Sequence, residues 1–168
     1  SKAYAMTGWR CGWAMGPADL IAACNAKQSH STSNACSITQ HAAIAAMRGP
    51  QDCIDVMLYE YRVRRDLMWE LLTRDRRVRC VKPAGAFYLF LDVSDLLSPD
   101  GLRTSADFSR ALLEEVHVAV TAGEAFDAPG FLRISYATSV DRLQLGAARF
   151  SRFIETLERD GRLASSER

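Results

Sequence analysis

The feature that most constrains the fold is the order of periodic segments from Pro50 onward. Residues 49–75 carry apolar side chains at the three-to-four spacing of one amphipathic helix, at Ile54, Met57, Leu58, Tyr61, Met68, Leu71 and Leu72. The β-prone runs VRCV (78–81) and AFYLFLDV (86–93) come next. They are followed by the helical segment FSRALLEEV (108–116), which the capping residues Thr104 and Asp107 precede.

Two further β-prone runs, HVAV (117–120) and FLRISYA (131–137), lead to a last helix that starts near Thr138. One face of that helix carries Leu143, Ala147, Phe150, Ile154 and Leu157. The order is therefore helix, two strands, helix, two strands, helix. This order predicts a small α/β unit in which helices cover one face of a sheet.

Residues 1–48 differ in composition from the rest of the chain, being rich in Gly, Ala and Ser. They predict one strand around Gly8–Ala14, a helix whose first position is Pro17, and a second helix from Asn34 to Met47. These elements are too few to enclose a core of their own. We therefore expect residues 1–48 to be the end of a larger α/β domain and residues 49–168 to be a small domain, with the polar end GRLASSER (161–168) frayed.

Composition and charge exclude several classes of partner. The chain has 168 residues, of which 48% are apolar and 24% charged, and its formal net charge is +1. This balance gives no reason to expect nucleic acid or an anionic membrane as a partner, and the longest apolar runs are far too short to cross a bilayer. Two arginine-rich stretches alternate with acidic residues, which favours a solvated helix face over a nucleic-acid patch; they are Arg62, Arg64 and Arg65, and Arg74, Arg76, Arg77 and Arg79.

The cysteines and histidines show no metal-binding pattern. The five cysteines form no CxxC pair, and the three histidines lack ligand spacing, so no metal site is predicted. An odd number of widely spaced cysteines favours a reducing cytoplasm over a disulfide framework. Small molecules are the expected ligands.

Three basic residues are candidates for chemistry. No other charge lies between Lys2 and Arg10, so we expect the Lys2 amine in a partly desolvated site that disfavours its charged form and suits Schiff-base chemistry. Arg10 lies between Trp9 and Gly12, where a ligand can approach closely and a guanidinium can bind a phosphate or carboxylate. Arg133 interrupts a β-prone run, so it requires either a protein carboxylate or an anionic ligand.

Several motifs, in order and spacing, resemble the C-terminal half of class I aminotransferases that use pyridoxal 5′-phosphate (PLP). They are SKAYAMTGWRCGW, STSNACSITQHAAIAAM, KPAGAFYLF, VTAGEAF and FLRISYATS, and they cover almost the whole chain. The resemblance is to the bacterial aspartate or prephenate aminotransferase subgroup. It implies the C-terminal part of the type I PLP fold, with the end of the large domain in residues 1–48, the small domain after it, and a homodimer with the active site at the subunit interface.

The resemblance also implies roles for individual residues. Lys2 matches the lysine that binds the cofactor covalently and then shuttles a proton between the substrate and the cofactor. Arg10 matches the arginine that binds the cofactor phosphate, and Ser33 matches a loop position that reaches the neighbouring subunit's cofactor site. Arg133 matches the arginine that binds the substrate α-carboxylate. No metal is implied.

The implied reaction is the transfer of an amino group between an aspartate-like amino acid and a 2-oxo acid, with aspartate, glutamate and prephenate as candidate substrates. Ala35, Ala122 and Trp13 depart from the residues usual at their positions, which alters loop rigidity without removing a charged group. The family's other cofactor contacts lie N-terminal to its lysine. We therefore expect that the chain continues a longer protein before Ser1 and that this polypeptide alone has little or no transaminase activity.

Two other functions are compatible with the same motifs. A PLP-binding effector domain of a transcription regulator would bind the cofactor without turnover, and a winged-helix segment upstream would distinguish it. A β-lyase or decarboxylase of the same fold would share both the lysine and Arg133, because all of these enzymes bind an α-carboxylate. Product analysis distinguishes these enzymes.

Overall fold

A computed structural model describes residues 1–163 of the chain. Most of the end predicted to be frayed, residues 161–168, therefore lies outside the described residues. The residues form two compact units, one of Ser1–Leu58 and one from Tyr59 onward. The assignment of residues 1–48 to a large cofactor-binding domain and of residues 49–168 to a small domain stays a prediction.

The first unit is built from helices. A 3₁₀ turn at Thr7–Trp9 precedes α1 (Ala18–Ser31), α2 (Ser37–Arg48) and the beginning of α3 (Asp52–Leu72). The predicted helices are confirmed, with Pro17 as the residue before α1 rather than its first residue. The strand predicted at Gly8–Ala14 is wrong, because Arg10 takes a left-handed conformation (φ 54°) that ends the 3₁₀ turn and no strand in Ser1–Leu58 is available to pair with it.

The first unit leaves most of its apolar surface exposed. Thr39 is the only buried residue in Ser1–Leu58, all of which the structure describes. Large apolar side chains stay accessible, among them Met15 (89% exposed) and Trp13 (62%). The expectation that residues 1–48 enclose no core of their own agrees with this exposure.

The second unit contains a three-stranded antiparallel sheet in the order β1 (Tyr88–Asp92), β3 (Phe131–Ser135) and β2 (Thr121–Ala122). The ladder pairs Phe90 of β1 with Arg133 of β3, and Thr121 of β2 with the same Arg133 from the other side. β3 is therefore the central strand. Two of the four predicted runs, AFYLFLDV and FLRISYA, contain strands at the expected positions.

The other two strand predictions, VRCV and HVAV, are wrong for local reasons. In VRCV only Arg79 bridges to the sheet, opposite Asp92, and Val81 is 91% exposed. Pro83, two residues further on, has no N–H to donate to a strand pair. In HVAV, the His117 and Val118 amides donate to the last carbonyls of the preceding helix, so these residues end that helix. Strand pairing begins only at Thr121.

The helices α4 (Ser105–Val116) and α5 (Val140–Arg159) provide core-facing side chains of the second unit. The Thr104 hydroxyl accepts a hydrogen bond from the Asp107 amide at 3.0 Å, which confirms the predicted cap of α4. All five side chains predicted on the inner face of α5 are buried, and the core also contains Met68 and Leu72 of α3. This core holds one face of the sheet against helices.

The arginine-rich stretches mostly form ion pairs with neighbouring acidic residues. The pairs are Arg64–Glu60, Arg65–Asp66, Arg74–Glu70, Arg77–Asp75 and Arg79–Asp92. This pairing agrees with the predicted alternation of charges, but the side chains of Arg64 and Arg65 are only 25% and 21% exposed, so this face of α3 is only partly solvated. No helix in residues 1–163 is long and apolar enough to span a membrane, and no cluster of His, Cys, Asp and Glu in that range could hold a metal ion.

Candidate active site

The face of the sheet opposite the core carries aromatic side chains around one arginine. Side chains alternate along β1 and β3, so that Leu89 and Leu91, and Leu132 and Ile134, enter the core. Their neighbours on the strands, Tyr88, Phe90, Phe131 and Arg133, lie on the opposite face. The Phe90 and Phe131 rings stack at 4.9 Å between centroids.

Arg133 lies in the middle of this face without an acidic partner. Its guanidinium carbon lies 4.5 Å from the ring centroid of Tyr88 and 4.5 Å from that of Phe126. Its hydrogen bond goes to the neutral Thr121 hydroxyl, at 3.4 Å. Among residues 1–163 no carboxylate pairs with Arg133, so its positive charge is not neutralised there. The sequence left two possible partners for Arg133, a protein carboxylate or an anionic ligand. This arrangement favours the anionic ligand.

Lys2 and Arg10 belong to one closed turn of the first unit. The Ser1 hydroxyl donates to the Cys11 carbonyl, and the Met6 amide donates to the Ser1 carbonyl at 2.7 Å. Because Lys2 follows Ser1 and Arg10 precedes Cys11, these hydrogen bonds keep the two Cα atoms less than about 15 Å apart. The Thr39 hydroxyl of α2 donates to the Trp9 carbonyl at 3.0 Å and anchors the same turn.

The side chain of Arg10 is exposed and makes one weak contact, from Nη1 to the Thr7 carbonyl at 3.3 Å. It forms no ion pair within the described residues. Its left-handed backbone closes the end of the 3₁₀ turn Thr7–Trp9. An uncompensated guanidinium held in this way suits an anionic ligand.

Lys2 is exposed, which differs from the partly desolvated site expected from the sequence. A stretch of sequence without nearby charges does not by itself create apolar cover. The residues of Ser1–Leu58 supply little buried surface of any kind.

Ser33 also has a left-handed backbone, with φ 65°. Its amide donates to the Gln28 carbonyl at 2.9 Å and closes the end of α1. Cys36 occupies the N-cap of α2, so the Ser33 hydroxyl does not cap that helix. Lys2, Arg10 and Ser33 belong to the first unit, and Arg133 belongs to the second.

The sequence did not predict the side chains around Arg133. Tyr88 and Phe126 lie within the motifs KPAGAFYLF and VTAGEAF, but nothing local says that their rings meet one arginine. The alternation of β1, together with antiparallel pairing to β3, would have placed Tyr88 on the correct face. Phe126 comes from a 3₁₀ turn at Gly123–Phe126, and no simple periodicity predicts its direction.

The fold of these elements is the fold of aminotransferases. The crystal structure of aspartate aminotransferase from Rhizobium meliloti matches 96% of this chain with a TM-score of 0.83 at 41% identity, using 40% of its own length. The aromatic aminotransferase from Pyrococcus horikoshii OT3 matches 94% of this chain with a TM-score of 0.82 at 34% identity, using 42% of its length.

The chain belongs to the aminotransferase class I and II family, whose model matches residues 1–150. It is 46% identical over 155 residues to an aspartate aminotransferase of Geobacillus stearothermophilus, covering 92% of this chain and 39% of the relative. It is 44% identical over 162 residues to a probable aspartate/prephenate aminotransferase of Rickettsia conorii, covering 94% and 40%. The chain thus spans about 40% of the length of these relatives.

Proposed function

We propose that this chain supplies the cofactor lysine and two anion-binding arginines of a PLP-dependent transaminase, which moves an amino group between an aspartate-like amino acid and a 2-oxo acid. The observation that carries the proposal is that Lys2 lies in one closed turn with Arg10, whose guanidinium has no acidic partner in residues 1–163. The family match and the aminotransferase relatives support the reaction class.

The residues of the turn fit PLP, which has an aldehyde at one end and a phosphate at the other. A lysine amine can bind the aldehyde covalently, and an arginine fork binds a phosphate through paired N–H donors. Ser33 would add a hydroxyl to a cofactor site on the neighbouring subunit of a homodimer. When bound, the cofactor supplies an electron sink for the electron pair left at the substrate Cα.

Arg133 performs the orienting step. Its free N–H donors bind the substrate α-carboxylate in a two-bond fork, and this contact fixes the direction of the Cα–H bond. Lys2 would hold the cofactor, and once the incoming substrate amine had replaced it there, its Nζ atom would serve as the base that takes up the Cα proton and passes it on. Nζ must be uncharged to accept this proton.

The names of the relatives support aspartate as an amino donor and prephenate, a 2-oxo acid, as an amino acceptor. All five cysteines are free thiols, which supports a reducing cytoplasmic location.

Reductive trapping tests the proposal directly. The full chain is incubated with PLP and borohydride, digested, and mapped by mass spectrometry. We expect the pyridoxyl group on Lys2 in one-to-one amount and a loss of labelling in Lys2→Ala, whereas Lys27→Ala, which removes an exposed lysine of α1, labels normally. Equal labelling of Lys2 and Lys27 would overturn the assignment.

A further inference from the structure

A buried serine joins the start of α4 to the loop that precedes β3. The side chain of Ser105 is fully buried, and its hydroxyl donates to the Glu124 carboxylate at 2.6 Å. The same hydroxyl accepts from the Gly130 amide at 3.0 Å. Ser105 therefore contacts both ends of the loop 123–130.

The Glu124 carboxylate makes a second contact with α4. Its other oxygen accepts from the Ala106 amide at 3.3 Å. Partial burial alone would raise the pKa of Glu124, but the hydrogen bonds from the Ser105 hydroxyl and from backbone amides outweigh it and lower the pKa. The carboxylate is thus ionised at neutral pH, as an acceptor at a helix N-terminus should be.

Two backbone hydrogen bonds also hold the loop, one within it and one to a residue outside it. The Ala128 amide donates to the Gly123 carbonyl at 3.0 Å, and the Gly130 carbonyl accepts from the Val93 amide at 2.9 Å. Between these two attachments to Ser105, the loop forms the 3₁₀ turn Gly123–Phe126, which carries Phe126.

Phe126 is the loop's contact with Arg133, at 4.5 Å from ring centroid to guanidinium carbon. Phe126 is 43% exposed, and its ring lies edge-on to that of Phe90 at 6.1 Å between centroids. Its position depends on the loop that carries it. A guanidinium held against ring faces keeps its N–H donors at the edge, where a carboxylate can meet them.

We propose that Ser105 and Glu124 are positioning residues, which hold the loop 123–130 so that Phe126 keeps the guanidinium of Arg133 in one orientation. The mechanical link is a property of the second unit alone. Its consequence for substrate affinity rests on the proposed function, in which Arg133 binds the α-carboxylate.

The first measurement is the NMR order parameter of the Arg133 Nε–Hε bond in the full chain without ligand. We expect Ser105→Ala and Glu124→Ala to lower it, and Glu124→Gln, which keeps the shape and an acceptor oxygen, to stay close to the wild type. Ser151→Ala is the control, because it removes an exposed hydroxyl of α5 in the same unit. Methyl resonances of Leu89 and Ile134 establish that each variant has kept its core.

The second measurement is the affinity of the PLP-loaded chain for 2-oxoglutarate, with an expected loss of about 3-fold to 10-fold in Ser105→Ala and Glu124→Ala. An unchanged order parameter in both variants overturns the positioning role, whatever the affinity. A lowered order parameter with unchanged affinity supports the positioning role and instead contradicts carboxylate binding by Arg133. If Ser105→Ala loses its core resonances, the order parameters of Glu124→Ala and Glu124→Gln decide.

Discussion

Arg133 and Thr121 lie directly opposite each other in the β2–β3 ladder, and the guanidinium donates a 3.4 Å hydrogen bond to the threonine hydroxyl. A neutral acceptor helps to direct the guanidinium without cancelling its charge. The rings of Tyr88 and Phe126 likewise orient it without neutralising it. The charge of Arg133 is therefore available to a ligand.

Replacement of Arg133 should weaken carboxylate binding. Because hydrogen bonds to charged groups contribute about 1.5–3 kcal/mol, Arg133→Ala should lower the affinity of the PLP-loaded chain for 2-oxoglutarate by about 10-fold to 100-fold. Arg133→Lys should give an intermediate loss, since lysine keeps the charge but not the fork. Calorimetric titration measures these affinities, with Arg76→Ala as the control at an exposed arginine. Wild-type affinity in Arg133→Ala would contradict the assigned role.

Replacement of Arg10 should weaken binding of the cofactor's phosphate group and change little else. We expect Arg10→Ala to lower the affinity for PLP by about 10-fold to 100-fold. Its affinity for pyridoxal, which lacks the phosphate, should be almost unchanged. The ratio of the two affinities, measured by absorbance titration, is thus the readout, and Arg48→Ala is the control in the same unit. An equal loss for both ligands would indicate a general disruption of the turn instead.

Two glycines of the second unit should respond to alanine in opposite directions. A Cβ atom on Gly123 would lie 2.0 Å from the Ala128 carbonyl oxygen and 2.8 Å from that of Phe131, so Gly123→Ala should destabilise the unit by roughly 1–3 kcal/mol. A Cβ atom on Gly146, inside α5, meets nothing within 4 Å. Gly146→Ala should therefore stabilise by up to about 1 kcal/mol. Urea unfolding measures both, and a destabilised Gly146→Ala would show that the surface of α5 is not open there.

Asp75 should stabilise the fold in a pH-dependent manner. It accepts three hydrogen bonds from Arg77, from the backbone amide at 2.9 Å and from the guanidinium at 3.0 and 2.7 Å, and the guanidinium contacts lower the pKa of Asp75. Because the folded-state pKa is the lower one, the stabilisation is complete above the ordinary value of 3.8 and is lost as the pH falls through the folded-state pKa.

The measurement is the difference in melting temperature between the wild type and Asp75→Asn at several pH values. We expect a stabilisation of up to about 1 kcal/mol near neutral pH, as for a partly exposed pair, and a difference that shrinks in acid. Glu114→Gln, at an exposed carboxylate without a hydrogen bond or ion pair in residues 1–163, should show no such trend. A constant difference between wild type and Asp75→Asn would contradict the role of ionisation.

Local patterns predicted the helices well, because helix signals are local. The spacing of Leu143 to Leu157 defined the buried face of α5, and Thr104 marked the start of α4 through a hydrogen bond within its own turn. Strands were predicted less well, because a strand exists only where a partner is available. Val78–Val81 has β-prone residues but pairs at one position, and His117–Val120 is adjacent to a helix end that takes up its first amides.

The charged candidates for the site were visible in the sequence, and their surroundings were not. Arg133 was identifiable because a charge in a β-prone run needs a partner. The groups that surround Arg133 come from β1, β2 and the loop 123–130. These elements lie in separate parts of the chain, so local patterns do not reveal that they meet. For Lys2, the expected apolar cover depended on long-range packing in the same way, and the structure leaves it exposed.

The central place of β3 has a consequence for the order of folding. Tyr88 of β1 pairs with Ser135, and Thr121 of β2 pairs with Arg133. Each of these strands therefore reaches β3 only when the intervening loop of the chain closes. Contacts of this kind form after local helices, since the loop-closure entropy must first be overcome. We therefore expect the surface around Arg133 to form late in folding. A peptide of residues 131–137 would contain the arginine and none of the groups that orient it.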